Sequence, residues 1–379
     1  MNFDSTEEQR LLAASIARFV ERDYGFDARN SIVASAAGWS RERWAAMGEL
    51  GLLGLPFSSE FGGFGGGAID MMSTMEAIGD ALVVEPYVAT IGLGAQFVAR
   101  AGTVAQKERA LPAVIEGRRT MAFAHGESGA RYDLAHVATR AVRADHGFRI
   151  EGAKRVVVNG PAADTLVVSA RISGTEAEPN GIALFLVDGG APGVTMNAYR
   201  TIDGYRAADI GFDGVRVGGD AQLGDERVGL ALIEDVVDFA TALLCTEAIG
   251  AIRAANEMTL DYLKTRKQFG APIGSFQALQ HRMVDMVISY EQARSMASLA
   301  CGAVDTETDR RQRKQIVSAA KVKIADACRH VSQEAIQLHG GMGMTDEMKI
   351  SHTFRRLTMI AQQFGDADHH LERFAAMAA

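Results

Sequence analysis

The sequence predicts a multi-domain chain of α and β type: a helical domain, a β domain, then a second helical domain. Three observations carry this reading. The chain has 379 residues, too many for one compact core. Apolar residues recur at helical spacing before Thr120 and again after Gly229. Between those stretches they fall instead into short β-branched runs bounded by Gly, Pro, Asp and Asn. The expected boundaries are an all-α domain at 1-120, a β domain at 121-225, and a four-helix bundle at 226-379.

In the first domain, Ser5 with Glu8 fits a capping box, and Leu12, Ile16, Phe19 and Val20 then follow at helical spacing. A second helix starts from Ser40, carries Trp44 and Met47, and stops at the glycines that run from Gly48 to Gly54. Phe61-Gly62-Gly63-Phe64-Gly65-Gly66-Gly67 is too rich in glycine to hold a helix and reads as a loop. Helical spacing resumes over Ile69 to Ile78 and Thr90 to Ala101.

In the second, Val142, Phe148 and Ile150 flank an Asp145-His146-Gly147 turn, which signals a hairpin. Val156-Val157-Val158, Leu166-Val167-Val168 and Ile182 to Val187 read as further strands. Ser173 to Gly181 is polar, contains Pro179, and reads as a loop. The third domain offers helices over about Leu230 to Arg266, Phe276 to Ala303, Arg310 to Leu338 and Asp346 to Gln362, with short connections.

Composition narrows the function classes. A net charge of −8 provides no electrostatic footprint for nucleic acid. Cys245, Cys301 and Cys328 are odd in number and widely spaced, which argues for a reducing compartment and against a disulfide framework or a cysteine metal site. No basic and apolar leader opens the sequence, and no apolar run reaches membrane-spanning length, so a cytoplasmic protein is expected.

Three stretches, in this order, resemble the acyl-CoA dehydrogenase family. They are Glu49-Leu50-Gly51-Leu52-Leu53-Gly54-Leu55-Pro56 with the Phe61-Gly62-Gly63 loop; Arg266-Lys267-Gln268-Phe269-Gly270-Ala271-Pro272-Ile273-Gly274 with Phe276-Gln277 and Gln280-His281; and Gln337-Leu338-His339-Gly340-Gly341-Met342-Gly343. The likeness spans essentially the whole chain. It implies a helical, β-barrel-like, helical-bundle architecture and an FAD-dependent desaturation of an acyl-CoA thioester. Such chemistry needs a base for the α-proton and a flavin to accept the β-hydrogen. The resemblance also implies that Arg266, Phe269, Gln277, Gln337, Gly340 and Gly341 hold the ADP half of an FAD seated mainly in a neighbouring subunit. Their chemistry suits that ligand: a guanidinium fork for phosphate, amides for polar edges, and glycines that admit close backbone approach. Taken singly, Arg266 reads better as a helix-end cation and Gly340-Gly341 as a simple helix stop; together, at matching spacing, they favour FAD. The ending Phe364-Gly365-Asp366-Ala367-Asp368-His369-His370 resembles the small subunits of bacterial pimeloyl-CoA dehydrogenases.

Other positions depart from the family pattern. Its Thr-Glu-Pro-x-x-Gly-Ser-Asp motif falls on Gly126-Glu127-Ser128-Gly129-Ala130-Arg131-Tyr132-Asp133, so the threonine hydroxyl and the small Gly-Ser pair are gone. The hydroxyl that would bond the flavin ring is replaced by Val158, which has no donor. The family's Asp-x-x-Arg contact with CoA falls on Asp238-Phe239-Ala240-Thr241, keeping Asp238 and losing the arginine. The two usual sites of the catalytic glutamate carry Ala240 and Phe364. Asp366 is the remaining candidate base, with a solvent-facing or capping aspartate in a Gly-Asp turn as its plainer reading. His369 and His370 are adjacent, point different ways on a helix, and make a poor metal pair. The expected partners are an acyl-CoA, an electron-transfer flavoprotein as acceptor, and a second acyl-CoA dehydrogenase subunit in a heterotetramer. A self-sufficient homotetramer with an atypical base, a non-catalytic scaffold and a flavin oxidase are the alternatives.

Overall fold

The structure is a computed structural model that describes residues 7–378 except 226 and 228. The capping box expected at Ser5 lies outside the described residues. Contacts divide the chain into two compact units: residues 1–31, 67–83 and 241–379 form one, and residues 32–66 and 84–240 form the other.

The first unit holds α1 (Glu7–Asp23), most of α2 (Phe26–Ala34), and α4 (Ala68–Ala81). It also holds the greater part of α7 (Gly229–Thr265), then α8 (Gln277–Thr306), α9 (Arg310–His339), α10 (Lys349–Gln362) and α11 (Ala367–Ala378). Ile249, Ile252, Met286, Ala297, Ile324, Val331, Leu357 and Ile360 form one core drawn from α7, α8, α9 and α10. α11 packs along α9 as a fifth helix.

Glycine and charge together set how α4 meets α7. A Cβ on Gly79 would strike the backbone oxygen of Glu247, and one on Gly250 would strike that of Glu76, so both positions require glycine for this approach. Arg253 of α7 then bridges Glu76 and Asp80 at 3.2 Å each. The N-terminus of α4 has no side-chain cap of its own at Gly67. Asp305, from the last turn of α8, accepts the Ala68 and Ile69 amides at 2.7 and 2.9 Å instead.

The second unit begins with the rest of α2 and with α3 (Arg41–Glu49). Ser40 caps α3 by accepting the Arg43 amide at 3.2 Å, and Trp44 and Met47 are buried, as their spacing predicts. The helix expected over Thr90 to Ala101 is only partly α-helical: Val88–Gly94 is a π-helical segment that leads into α5 (Ala95–Ala101). The sequence reading overlooks α2, and also α6 (Val104–Ile115), whose capping box pairs Thr103 with Gln106.

Eight strands follow: β1 (Met121–Ala124), β2 (Arg140–Ala144), β3 (Gly147–Val158), β4 (Thr165–Arg171), β5 (Ile182–Asp188), β6 (Val194–Arg200), β7 (Arg206–Gly218) and β8 (Gln222–Leu223). Their order is β6-β7-β3-β2-β4-β5-β8, with β1 parallel to β4. β2 and β4 meet only at Arg140 and Arg171, so two halves of the sheet hinge on one residue pair. Both halves supply one core, including Phe148, Ile150, Val168, Phe185, Ile210 and Val215, which accounts for the barrel-like character. The Asp145-His146 turn forms as predicted, with Ala144 paired to Gly147. Val156-Val157-Val158 is the end of the 12-residue β3 rather than a strand of its own, because β-bulges carry the long strand past Gly152 and Lys154. Ser173 to Gly181 is a loop, as its composition predicts.

Candidate functional site

One end of the helical bundle gathers most of the residues singled out in the sequence. α7 ends there, α8 begins there and α9 ends there, because Leu263, Leu279 and Leu338 share a single core. Tyr262, in the last turn of α7, stacks on His339 at the end of α9 with ring centroids 4.5 Å apart. Arg282, early in α8, donates to Glu334 of α9 at 2.5 Å. Arg266, Phe269, Gln277, Gln337, Gly340 and Gly341 are all exposed on this end.

Each is presented by a definite local structure. Arg266 directly follows α7 and closes its last turn through its amide and the Tyr262 carbonyl, at 2.8 Å. Phe269 and Gly270 form the two-residue tip between β9 (Lys267–Gln268) and β10 (Ala271–Pro272). Their φ values of +52° and +79° are those of a type I′ turn, in which glycine or asparagine is the comfortable residue. Phe269 is nonetheless there, and is 92% exposed. A strained position that holds an aromatic ring in water points to a contact made outside this chain.

Gln277 opens α8. Its N-cap, Phe276, gives no side-chain hydrogen bond, so the first amides and the dipole of a 30-residue helix face outward. Gly340 closes α9 with φ +60° and ψ −142°, and nothing lies within 4 Å of a Cβ built on Gly340 or Gly341. That leaves an open shelf over bare backbone. A guanidinium fork, an uncapped helix N-terminus, two amide side chains and a glycine shelf form a donor set suited to a pyrophosphate and its nucleoside. The residues present therefore fit the ADP half of FAD.

In the β domain, the side chains at the positions of the family motif are occupied with one another or lack a donor. Glu127 is turned inward, where its carboxylate takes the Lys154 ammonium at 2.6 Å and the Ala138 and Thr139 amides at 2.7 and 3.0 Å. Burial alone would raise this carboxyl, yet the Lys154 charge and the hydrogen bonds outweigh it and hold Glu127 below the usual carboxylate range. Lys154 also donates to Ser169, which meets His125 Nδ1 at 2.9 Å, so the polar groups here serve one another. Arg131 lies over the Tyr132 ring at 5.4 Å, and its φ is +47°. Val156 is half-exposed with φ +52°, an outlier for a β-branched residue. Gly126 and Val158 stand where the family has hydroxyls, and neither side chain can donate.

The two positions at which the resemblance places the catalytic glutamate, Ala240 and Phe364, carry no carboxylate. Ala240 is fully buried. Asp238, expected toward CoA, is only 1% exposed, because this stretch of α7 is buried nearly all round. Asp366 caps α11: its Oδ1 accepts the His369 amide at 2.9 Å and its carbonyl accepts the His370 amide at 3.1 Å. Phe364, with φ +62°, and Gly365, with φ +118°, form the preceding turn. The buried Lys321 ammonium anchors that turn through the Ala361 and Gly365 carbonyls at 3.1 and 2.8 Å. His370 Nε2 donates to the Phe364 carbonyl at 3.0 Å. His370 is thereby committed to the turn, and among the described residues no cluster of His, Cys, Asp and Glu could hold a metal ion. Burial pushes the thiols of Cys245, Cys301 and Cys328 up to about 12, so they are inert at neutral pH.

Lys154, Arg171 and Lys321 were not singled out in the sequence. Arg171 is buried and donates to the carbonyls of Val137, Ala135, Glu176, Glu178 and Asn180, pinning the 173–181 loop. Arg171, at the end of the mostly apolar run from Leu166, had a local signal; Lys154, beside Arg155, and Lys321, near Lys323, had none.

The chain matches the acyl-CoA dehydrogenase N-terminal domain over residues 6–118, the middle domain over 122–215 and the C-terminal domain over 227–378. It therefore belongs to the acyl-CoA dehydrogenase family, FAD-dependent oxidoreductases acting on CH–CH groups. It is 29% identical over 378 residues to the probable acyl-CoA dehydrogenase YngJ of Bacillus subtilis, covering 98% of each chain. Mitochondrial isovaleryl-CoA dehydrogenase of Oryza sativa is 30% identical over 359 residues, covering 93% of this chain and 86% of that one. Among solved structures, the FAD complex of PigA superposes with a TM-score of 0.92 at 25% identity, covering 100% of this chain and 99% of that one. A variant of the Tcur3481–Tcur3483 steroid ACAD superposes with a TM-score of 0.87 at 29% identity, covering 98% of each chain. Among the described residues no helix is long and apolar enough to cross a membrane.

Proposed function

We propose that this chain is the companion subunit of a heteromeric, cytoplasmic acyl-CoA dehydrogenase. Arg266, Phe269, Gln277, Gln337, Gly340 and Gly341 contact the ADP half of FAD seated mainly in a partner subunit, which supplies the base and the acyl-CoA site. One observation carries the reading. Residues that would act on a neighbour stand exposed at one bundle end, whereas the positions for chemistry in this chain's own site carry Ala240 and Phe364. The solved relative whose name joins Tcur3481 with Tcur3483 is consistent with a paired assembly.

The division of labour follows from these residues. FAD, when bound, supplies the acceptor for the substrate's β-hydrogen. Arg266 places a fixed positive fork against phosphate oxygens, and the α8 N-terminus adds backbone donors beside it. Phe269 covers the nucleoside and excludes water, which strengthens both sets of charge-assisted bonds. Asp366, this chain's candidate base, is spent on capping α11, so the α-proton is assigned to a base in the partner. An electron-transfer flavoprotein would take the electrons onward. The dicarboxylyl substrate, of which pimeloyl-CoA is the example, rests on the likeness of residues 364–370 alone.

The test is Arg266→Ala in the reconstituted assembly. Losing a charge-assisted phosphate contact should weaken FAD binding by about tenfold or more while the chain stays folded, since Arg266 is exposed. Flavin content and turnover that do not change would overturn the assignment. Asp366→Ala in the same assembly should lower thermal stability through the lost cap, by about 1 kcal/mol, and leave turnover of the stable protein intact.

A further inference from the structure

A pocket of about 360 Å³ opens in the second unit, among the loop before α3, the segment after β3 and the β6–β7 hairpin. Ala37, Trp39, Ala162, Tyr199, Arg200 and Arg206 line it. Its size is sufficient for a nucleotide-sized molecule.

Its charge pattern is unusual. Arg200 and Arg206 sit directly opposite each other across β6 and β7, where like charges oppose strand pairing. Among the described residues neither guanidinium meets a carboxylate. The nearby Asp209 is taken by Arg155 at 2.6 Å and by the Tyr199 hydroxyl at 3.1 Å, and Asp203 is buried within the hairpin, where it accepts from Thr201. Arg206 is fixed in place: it donates to the Val33 and Ser35 carbonyls at 3.3 and 2.8 Å and lies across Gly38. A Cβ on Gly38 would collide with that side chain, and the φ of +70° also favours glycine. Among the described residues the Arg200 side chain makes no hydrogen bond or ion pair. The pocket therefore offers one anchored and one unengaged guanidinium beside a half-buried indole.

We propose that this pocket binds a phosphate-bearing molecule with a planar ring, of mononucleotide type. The phosphate sits between Arg200 and Arg206 and relieves their repulsion, and the ring packs on Trp39. The site is separate from the FAD contacts, since none of its residues belongs to the Arg266 to Gly341 set.

The test titrates the intact chain with AMP and with inorganic phosphate by calorimetry, in wild type, Arg200→Gln, Trp39→Leu and Arg266→Ala. Wild type should bind AMP saturably, and Arg200→Gln should weaken that binding about tenfold or more. Trp39→Leu should reduce AMP affinity toward that of phosphate and leave phosphate affinity unchanged. Because Arg200 is exposed and faces a like charge, Arg200→Gln should melt no lower than wild type without ligand and lose the thermal shift that AMP produces in wild type. No saturable AMP binding, or AMP binding that survives Arg200→Gln, overturns the proposal. AMP binding abolished by Arg266→Ala assigns the nucleotide to the FAD contacts and also overturns it.

Discussion

Glu127 shows how a family-pattern residue can persist while its neighbours change. The Glu127–Lys154 pair is nearly inaccessible, with side-chain exposures of 5% and 0%. Removing one charge strands the other inside the β domain, at a cost of about 3–5 kcal/mol. Glu127→Gln should accordingly lower the unfolding free energy read from denaturant melts by about that amount without changing the proposed FAD contacts at the bundle end. The pair also has a pH signature. Burial lowers the Lys154 ammonium from 10.5 to about 8, although Glu127 opposes the shift. Between those values the unfolded chain binds more protons at this residue than the folded one, so its contribution to stability rises with pH. The Glu127 carboxyl is held below its ordinary 4.5, so its contribution is present above that value and lost as pH falls through the lowered one. Denaturant melts across pH 8 to 10.5 should show the rise in wild type and its absence in Lys154→Met.

At the scale of elements, the β9–β10 hairpin carries a tension between stability and use. An aromatic residue at φ +52° is strained, and at 92% exposure it receives little in return beyond an edge contact with the Phe276 ring at 6.2 Å. Phe269→Asn, which suits a type I′ turn, should stabilise the isolated chain by about 0.5–1 kcal/mol and weaken FAD binding in the assembly. The opposite result, a less stable hairpin with unchanged FAD, would mean the ring serves this chain's own fold. The same contrast decides what was legible in the sequence. Ser40, Trp44 and Met47 announced α3 through a cap and a 3.6-residue period, both local signals. Helical spacing was readable from Thr90, but nothing in it marked Val88–Gly94 as π rather than α, because its residues are buried nearly all round. β6 and β7 were missed because Val194 to Arg200 is largely polar, and pairing with a neighbour shapes it more than its own propensity. The Arg266-to-Gln277 and Gln337-to-Gly341 stretches were readable as motifs, but their arrival at one bundle end depends on the core shared by Leu263, Leu279 and Leu338.

For the whole molecule, the architecture is that of an acyl-CoA dehydrogenase, and the proposed companion role rests on which family-motif positions are intact and which are altered. The helices that would present the proposed ADP-side contacts are tightly built: Arg356 of α10 donates to both oxygens of Glu247 on α7 at 2.6 and 2.8 Å, and Gly79 and Gly250 bring α4 against α7. A rigid bundle end is what a contact made in trans requires, since misplacement by an ångström would cost the partner its cofactor geometry. The most direct measurement is the flavin absorbance and acyl-CoA turnover of this chain purified alone and again after assembly with its partner. The account predicts little bound flavin and no turnover for the chain alone, and both in the assembly; full FAD occupancy and turnover by the chain alone would contradict it.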